Sequence, residues 1–163
     1  MLGIFATIQN GDVLGVMLAL DLCDVEICHP LDGRPIISAL CRANMPVAVE
    51  HVLALGADIN KRDAYGRSPV HWAVLSDDVG CLQLLIDAGA DLNTRSYVKK
   101  STPLHLACTH GYSHSVRCLL DAGADYNIKD SLGLTPVRWA RNDKYPECVE
   151  IIKKHMEGDT NAN

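Results

Sequence analysis

Apolar positions recur along the chain in short blocks separated by a nearly constant interval. The block SPVHWA at 68–73 returns as TPLHLA at 102–107 and as TPVRWA at 135–140, with a diverged copy, RPIISA, at 34–39. The prolines of the four blocks are 34, 34 and 33 residues apart. Because a fixed interval of this length is typical of proteins built from stacked repeats, the spacing predicts a solenoid.

Each interval contains the signals of two short helices. In the second block Pro69 follows Ser68, so a capping hydroxyl precedes a proline at the first helical position. The next apolar stretch ends at Gly89, the residue type that a left-handed helix end requires. Polar turn residues then lead to the next block, as at 60–67. This pattern predicts an all-α solenoid of stacked helix–turn–helix units joined by hairpin loops.

A second motif keeps the same interval and supports a family resemblance. It reads VLALGADIN at 52–60, LIDAGADLN at 85–93 and LLDAGADYN at 119–127. Together with TPLHLA, these motifs resemble the ankyrin-repeat consensus over roughly residues 31–157. The resemblance implies L-shaped units with a concave face, lined by hairpin fingertips and first helices, where protein partners bind.

The repeat register predicts how the chain is organised. We expect an ankyrin-repeat domain at 1–157, made of an N-terminal helical pair at 3–22 and repeats at about 31–60, 63–95, 97–129 and 130–157, followed by a disordered tail at 158–163. The last repeat carries charged residues throughout, as the outer end of a solenoid requires.

Composition narrows the function classes and the compartment. The formal net charge is −5, which gives no general attraction to nucleic acid. Seven cysteines without a CxxC pair predict free thiols in a reducing compartment, the cytoplasm or the nucleus. The N-terminus lacks a signal peptide, and the apolar runs are too short to span a bilayer, so no membrane association is expected.

Residues with catalytic potential recur with the repeat, which argues against an enzyme. His71 and His105 share one repeat position, and the family resemblance assigns them a structural hydrogen bond beside Ser or Thr. Cys108, His110 and His114 are close in sequence, but a glycine separates the two histidines, so they do not share a helix face as zinc ligands. We predict no catalytic residue, no metal and no cofactor.

The predicted fingertips are basic although the whole chain is acidic. Three adjacent inter-repeat segments contain seven of the fifteen Lys and Arg residues, namely Lys61, Arg62, Arg67, Arg95, Lys99, Lys100 and Lys129. The partner-binding surface is predicted to include Tyr65, Arg67, Leu75, Val98, Lys99, Lys100, His110, Leu132 and Leu134. Its mixture of cationic and apolar residues suits an acidic, partly apolar protein segment across repeats two to four. Nucleic acid is the less favoured alternative, because few aromatic residues are available for base stacking.

The N-terminal helical pair carries more apolar residues than one buried face needs. Between Met1 and Leu20 the only charged side chain is that of Asp12. We therefore predict a docking face formed by Leu2, Ile4, Phe5, Leu14 and Met17. Its occupant is left open between a second copy in a homodimer, another protein and upstream sequence.

Two further features depend on the family resemblance. Repeat three has one extra residue before its fingertip, and Lys100 stands where the family usually has glycine. This departure indicates either a contact with a partner or sequence drift without a function.

Asn60, Asn93 and Asn127 end the second motif, and their favoured role is to hold the loop by hydrogen bonds. Asn93 and Asn127 also follow a leucine by eight residues, so the family implies them as candidates for an asparaginyl hydroxylase.

Overall fold

The computed structural model describes residues 2–22, 28–29, 32–77, 79–142 and 145–161, and within these ranges the regular secondary structure is helical. The helices are α1 (Leu2–Gln9), α2 (Val13–Leu20), α3 (Ile36–Arg42), α4 (Pro46–Ala54), α5 (Pro69–Leu75), α6 (Val79–Asp87), α7 (Pro103–His110), α8 (Ser113–Asp121), α9 (Pro136–Asn142) and α10 (Pro146–Asn161). An isolated antiparallel bridge pairs Cys28 with Pro35.

The helices form two layers that run the length of the molecule. The first helix of each pair contacts the first helix of the next, in the order α1, α3, α5, α7 and α9. The second helices form the other layer in the same way, from α2 to α10. The predicted all-α solenoid of stacked helical pairs is therefore confirmed.

Small side chains allow the inner helices to approach closely. Ala73, Ala107 and Ala140 occupy the same repeat position and are completely buried. Large apolar side chains such as Leu85 and Leu119 fill the space between the two layers. Burying a side chain of that size stabilises the fold by about 1.5–3 kcal/mol. Stacking thus supplies the core that a single pair of helices lacks.

Two histidines connect successive repeats by hydrogen bonds at both ring nitrogens. Nδ1 of His71 accepts from the backbone N–H of Ser68 at 3.1 Å, and Nε2 donates to the carbonyl of Ser101 in the next repeat at 3.2 Å. In the following repeat His105 bonds to Thr102 and to the carbonyl of Leu134 with the same geometry. The structural role predicted for both histidines is confirmed.

The backbones of successive fingertips are also joined. Each of three fingertips donates an N–H to a carbonyl of the preceding one: Ala64 to Asp32 at 3.3 Å, Tyr97 to Tyr65 at 2.9 Å and Ser131 to Lys99 at 2.8 Å. The fingertips therefore form a continuous edge along the solenoid. Their relative positions are set by backbone hydrogen bonds and do not depend on side-chain packing alone.

The structure differs from the sequence expectation at both ends of the chain. Ile4 and Phe5 are each only 6% exposed, so both pack mainly in the core, and Phe5 also lines a cleft beside α3. The reason is that α1 is an inner helix and packs against α3. Met17 is half-buried, Leu14 on α2 is 71% exposed, and the side chain of Leu2 lies outside the described residues.

At the other end, α10 continues to Asn161, where the sequence predicts a disordered tail from residue 158. Extending an existing helix adds one hydrogen bond per residue without a new nucleation step, which offsets the unfavourable Gly158. Residues 162–163 of the predicted tail lie outside the described residues.

Two equivalent glycines test the stacking of the fingertips. Gly66 and Gly133 have φ angles of +76° and +75°, but a Cβ on Gly66 would lie 2.6 Å from Cδ1 and 2.8 Å from N of Tyr97. A Cβ on Gly133 would have no atom of the described residues within 4 Å, apart from those of its two chain neighbours. We expect Gly133→Ala to cost about 1–2 kcal/mol from the left-handed backbone alone. Gly66→Ala should cost about 1–3 kcal/mol more, from overpacking.

Guanidinium chloride unfolding of the two single variants measures this difference. Equal losses of unfolding free energy in the two variants would contradict the contact between neighbouring fingertips.

Candidate partner-binding face

A buried carboxylate organises the fingertip of the second repeat. Asp63 is 3% exposed and accepts hydrogen bonds from the backbone N–H groups of Tyr65 and Arg67, both at 2.9 Å. The same carboxylate accepts from Nε of Arg67 at 2.8 Å and from the indole N–H of Trp72 at 3.2 Å. Asp63 therefore orients a cation and an aromatic ring, and its charge is not presented to solvent.

The fourth repeat has an equivalent buried aspartate in its fingertip. Asp130 accepts from the backbone N–H groups of Leu132 and Leu134 at 2.8 and 2.9 Å, and from the indole N–H of Trp139 at 2.9 Å. Burial by itself would raise the pKa of Asp130, but these N–H donors outweigh it and hold the pKa below its usual value. The carboxylate is thus ionised and engaged inside the turn.

The third fingertip has neutral groups in place of the buried aspartate and its tryptophan. The hydroxyls of Ser96 and Ser101 lie 3.0 Å apart, and Leu106 occupies the repeat position of the two tryptophans. Lys100 adopts a φ of +52°, so it takes the left-handed conformation of the glycine that it replaces. Arg95 donates to the carbonyls of Lys100 at 3.2 Å and Lys129 at 2.8 Å, so it supports the longer loop.

Cationic side chains of the fingertips lie over aromatic rings. The distances from the cation to the ring centre are 4.0 Å for Arg67 over Trp72, 4.8 Å for Arg67 over Tyr65, 6.0 Å for Arg62 over Tyr97 and 6.0 Å for Lys99 over Trp139. Such pairs stabilise by about 0.5–1 kcal/mol at exposed sites. Arg62 and Lys99 are exposed, so their charges remain accessible from solvent, whereas Arg67 is paired with Asp63.

A cleft of about 260 Å³ lies between the second and third fingertips. Tyr65, Arg67, Val98 and Lys99 line it together with Leu106 of α7, and we call it the fingertip cleft. Val98 is 79% exposed and Tyr65 is also exposed, so apolar surface borders the two cations. The structure thus brings together four of the residues that the sequence assigns to partner binding.

The other predicted binding residues lie outside the fingertip cleft. Lys100 and Leu132 are exposed on the third and fourth fingertips, whereas Leu134 is half-buried and its carbonyl accepts from His105. Leu75 is half-buried at the end of α5. His110 is exposed at the end of α7, where its ring stacks on that of Tyr112 with 5.3 Å between the centres.

The loop asparagines join one repeat to the next. Oδ1 of Asn60 accepts from the backbone N–H of Asp91, and Oδ1 of Asn93 accepts from that of Asp125, both at 2.9 Å. The loop-holding role predicted for these two asparagines is confirmed. Asn127 is exposed, and its own backbone N–H donates to Oδ1 of Asp125 at 2.8 Å.

Sequence reasoning missed two arginines beside Trp72. The guanidinium carbon of Arg34 lies 4.3 Å from the ring centre and that of Arg42 lies 5.3 Å from it. The departure of Arg34 from the Ser or Thr of its repeat position is visible in the sequence. The position of Arg42 depends on how α3 packs against α5, so no sequence motif indicates it.

The described residues also show which other classes of site they can form. They contain no group of three or more His, Cys, Asp or Glu side chains arranged to hold a metal ion. None of the helices in the described part of the chain is both long and apolar enough to cross a membrane.

Comparison with known proteins agrees with this architecture. The family model for "Ankyrin repeats (3 copies)" matches residues 4–96, and that for "Ankyrin repeats (many copies)" matches residues 85–140. The chain belongs to the ankyrin-repeat family, a non-catalytic fold that serves as a protein–protein interaction module.

Individual relatives share the repeats over part of their length. Inversin of Gallus gallus is 37% identical over 97 residues, which cover 60% of this chain and 9% of inversin. The ankyrin repeat protein FPV233 of fowlpox virus (strain NVSL) is 36% identical over 124 residues, covering 75% of this chain and 24% of the viral protein. Alpha-latrotoxin-Lt1a of Latrodectus tredecimguttatus is 34% identical over 89 residues, covering 54% and 6%. The chain thus spans a quarter or less of each of these relatives.

The buried His71 predicts a pH dependence of stability. Burial lowers its pKa from 6.5 to about 4, against the opposing effect of the Ser101 carbonyl. Below pH 6.5 the unfolded chain binds a proton that the folded chain does not, so the unfolding free energy falls as the pH drops towards 4. We expect His71 to contribute about 3 kcal/mol to this fall.

Urea unfolding between pH 4 and pH 7 checks this expectation, with His71→Gln compared to the wild type. The variant should lose stability less steeply on acidification. His110→Gln, at an exposed position, is the matched control and should keep the steep dependence. The same pH dependence in all three proteins would contradict a buried, neutral His71.

Proposed function

We propose that this chain is a scaffold or adaptor module that binds an acidic, partly apolar segment of another protein across the fingertips of repeats two to four. The fingertip cleft carries the proposal, because it joins the exposed Lys99 and the half-buried Arg67 to exposed apolar side chains at the edge where successive repeats are aligned. Such a mixture is typical of the residues that contribute most to protein–protein affinity.

The charge of this edge favours an acidic partner. Arg62, Lys99 and Lys100 are exposed on it. The carboxylates of Asp63 and Asp130 are nearly fully buried and are engaged by N–H donors of their own turns. A cationic edge is therefore presented by a protein whose net charge is −5. Complementary charge would speed association and select against basic partners.

The apolar side chains favour a partner that is not uniformly polar. Val98 and Leu132 are each more than two-thirds exposed, at 79% and 73%, on neighbouring fingertips. Leu106 is half-buried and lines the fingertip cleft. A leucine or similar side chain of the partner would remove this surface from water, at about 25 cal/mol for each Å² buried.

Charge reversal on the third fingertip tests the proposal. We expect Lys99→Glu/Lys100→Glu to lose the specific partner from a cell-lysate pull-down quantified by mass spectrometry. Arg67 is left intact, because a glutamate there would face Asp63 and disturb the turn. The control is Lys153→Glu/Lys154→Glu on α10, which changes the net charge equally. Proteins retained by the control but lost from the fingertip variant would support the site.

If both double variants retained the same partners, the proposed site would be contradicted.

The Lys100→Gly variant decides whether Lys100 is a partner contact or a substitution without a function. Glycine relieves a left-handed backbone that costs about 1–2 kcal/mol. A more stable variant that binds the partner more weakly would show that the Lys100 side chain is a contact, whereas unchanged binding would indicate drift.

We also propose that the apolar surface of α2 docks onto another surface, with a second copy of the chain as one candidate. Leu14 and Leu18 of α2 are 71% and 61% exposed, and Leu22, two residues beyond the end of α2, is 88% exposed. Sedimentation velocity over a range of concentrations tests self-association. Leu14→Ser/Leu18→Ser should abolish any concentration dependence, and Leu132→Ser should not. A strictly monomeric wild type would exclude the homodimer.

Hydroxylation of Asn93 and Asn127 stays a prediction. Asn93 is half-buried and its side-chain oxygen is engaged by the next repeat, so a hydroxylase would need the loop to open. Peptide mass spectrometry of the protein purified from cells tests both residues.

We also propose a cytoplasmic or nuclear location for the protein, because none of the described cysteines forms a disulfide.

A further inference from the structure

Three guanidinium groups surround the ring of Trp72. Their carbons lie 4.0 Å (Arg67), 4.3 Å (Arg34) and 5.3 Å (Arg42) from the ring centre, and Trp72 is only 4% exposed. The indole N–H is held by Asp63. The ring therefore serves as a fixed platform that gathers three cations from two repeats at one place.

The cations around Trp72 are not fully neutralised. Arg67 pairs with Asp63 at 2.8 Å, and Arg34 pairs with Asp32. Arg42 is exposed at the end of α3, and it takes part in none of the ion pairs between described residues. Among the described side chains around Trp72, three guanidinium groups and two carboxylates leave one net positive charge, at the exposed Arg42.

A cleft with one apolar wall adjoins these cations. Its volume is about 460 Å³; Phe5, Ile8 and Ala39 form the apolar wall, and Gln9 and His29 line it together with Arg34 and Arg42. A side chain that enters this cleft lies directly next to the unneutralised guanidinium. The arrangement therefore pairs an apolar wall with a single positive charge, as a segment with adjacent acidic and apolar residues would require.

We propose that Arg42 and Arg34, held against Trp72, bind the carboxylate of one Asp or Glu of a partner peptide while a neighbouring apolar side chain enters the Phe5–Ile8 cleft. The proposal rests on the proposed function, since it extends the binding site of the same partner by one repeat towards the N-terminus. One net positive charge matches one carboxylate and is too little for a doubly charged phosphate. The planar guanidinium also suits bidentate carboxylate binding.

Arg67 links this site to the fingertip cleft, because it contacts Trp72 and also lines that cleft. Neighbouring helices pack at about 8–10 Å, and an extended peptide advances about 3.3 Å per residue. Because α5 lies between α3 and α7, two such helix spacings separate the sites, and the acidic residue bound at Arg42 lies about five or six residues along the peptide from the one that faces Lys99. This spacing defines an acidic–apolar pattern for the partner segment.

The two indole N–H signals of the protein provide a direct test by ¹⁵N NMR, with a Trp139→Phe variant to assign the signal of Trp72. The probes are the capped peptide acetyl-Gly-Leu-Glu-Leu-Gly-amide and its counterpart with Gln in place of Glu. We expect the Glu peptide to shift the Trp72 signal and to bind at least about tenfold more tightly than the Gln peptide.

Arg42→Gln should weaken binding of the Glu peptide to the level of the Gln peptide, with the protein still folded by its unchanged amide spectrum. Lys99→Glu/Lys100→Glu should leave the Trp72 titration unchanged, so failure at the fingertip cleft and failure at Arg42 are distinguishable. Equal binding of the two peptides, no shift of Trp72 with either, or full binding by Arg42→Gln would overturn the proposal. Shifts at Trp139 alone would also overturn it while supporting the fingertip cleft.

Discussion

The structure depends on one constraint, which is that a single helical pair cannot bury its own apolar face. Every repeat must therefore be aligned with its neighbour before either is stable. Alanines at the shared position of the inner helices permit that approach, and His71 and His105 fix its register by bonding to a turn of their own repeat and to a carbonyl of the next. Tertiary stability and the spacing of the fingertips are consequences of the same contacts.

The proposed binding face follows from how the turns satisfy their own polar groups. Asp63 and Asp130 lie inside their turns, where they compensate N–H donors and orient a tryptophan. Because those carboxylates are buried, the lysines and arginines of the fingertips remain the exposed charges. Aromatic rings beneath them restrict their motion, which lowers the entropy that a partner must remove on binding. A preformed cationic edge thus arises from structural requirements of the repeat.

Much of this could be predicted from the sequence, because repetition shows each position several times. The helix starts at Ser68 and Thr102 follow from local rules applied at a constant interval, and the role of the two histidines is implied by the resemblance to the ankyrin-repeat consensus. Which faces of α1 and α2 are buried could not be predicted in the same way. Helices as uniformly apolar as α1 and α2 have no polar face to indicate which side is exposed, so the sequence does not reveal that Ile4 and Phe5 are mostly buried.

The arginines at Trp72 illustrate a second limit. Arg34 and Arg42 are eight residues apart and reach a ring that belongs to the next repeat. Their convergence depends on the packing of α3 against α5, which no single repeat reveals. Position-by-position comparison of repeats finds the shared architecture, and the features particular to this chain arise where the repeats differ.

Hydrogen bonds between repeats hold the fingertips in a preformed row. Amide hydrogen exchange of the free protein tests it most directly, at the N–H groups of Tyr97 and Ser131 that bond to the preceding fingertip. We predict that both exchange as slowly as the inner-helix amides of α5 and α7, which open only with the repeats themselves. Exchange of Tyr97 and Ser131 at the rate of an unstructured loop would contradict the account.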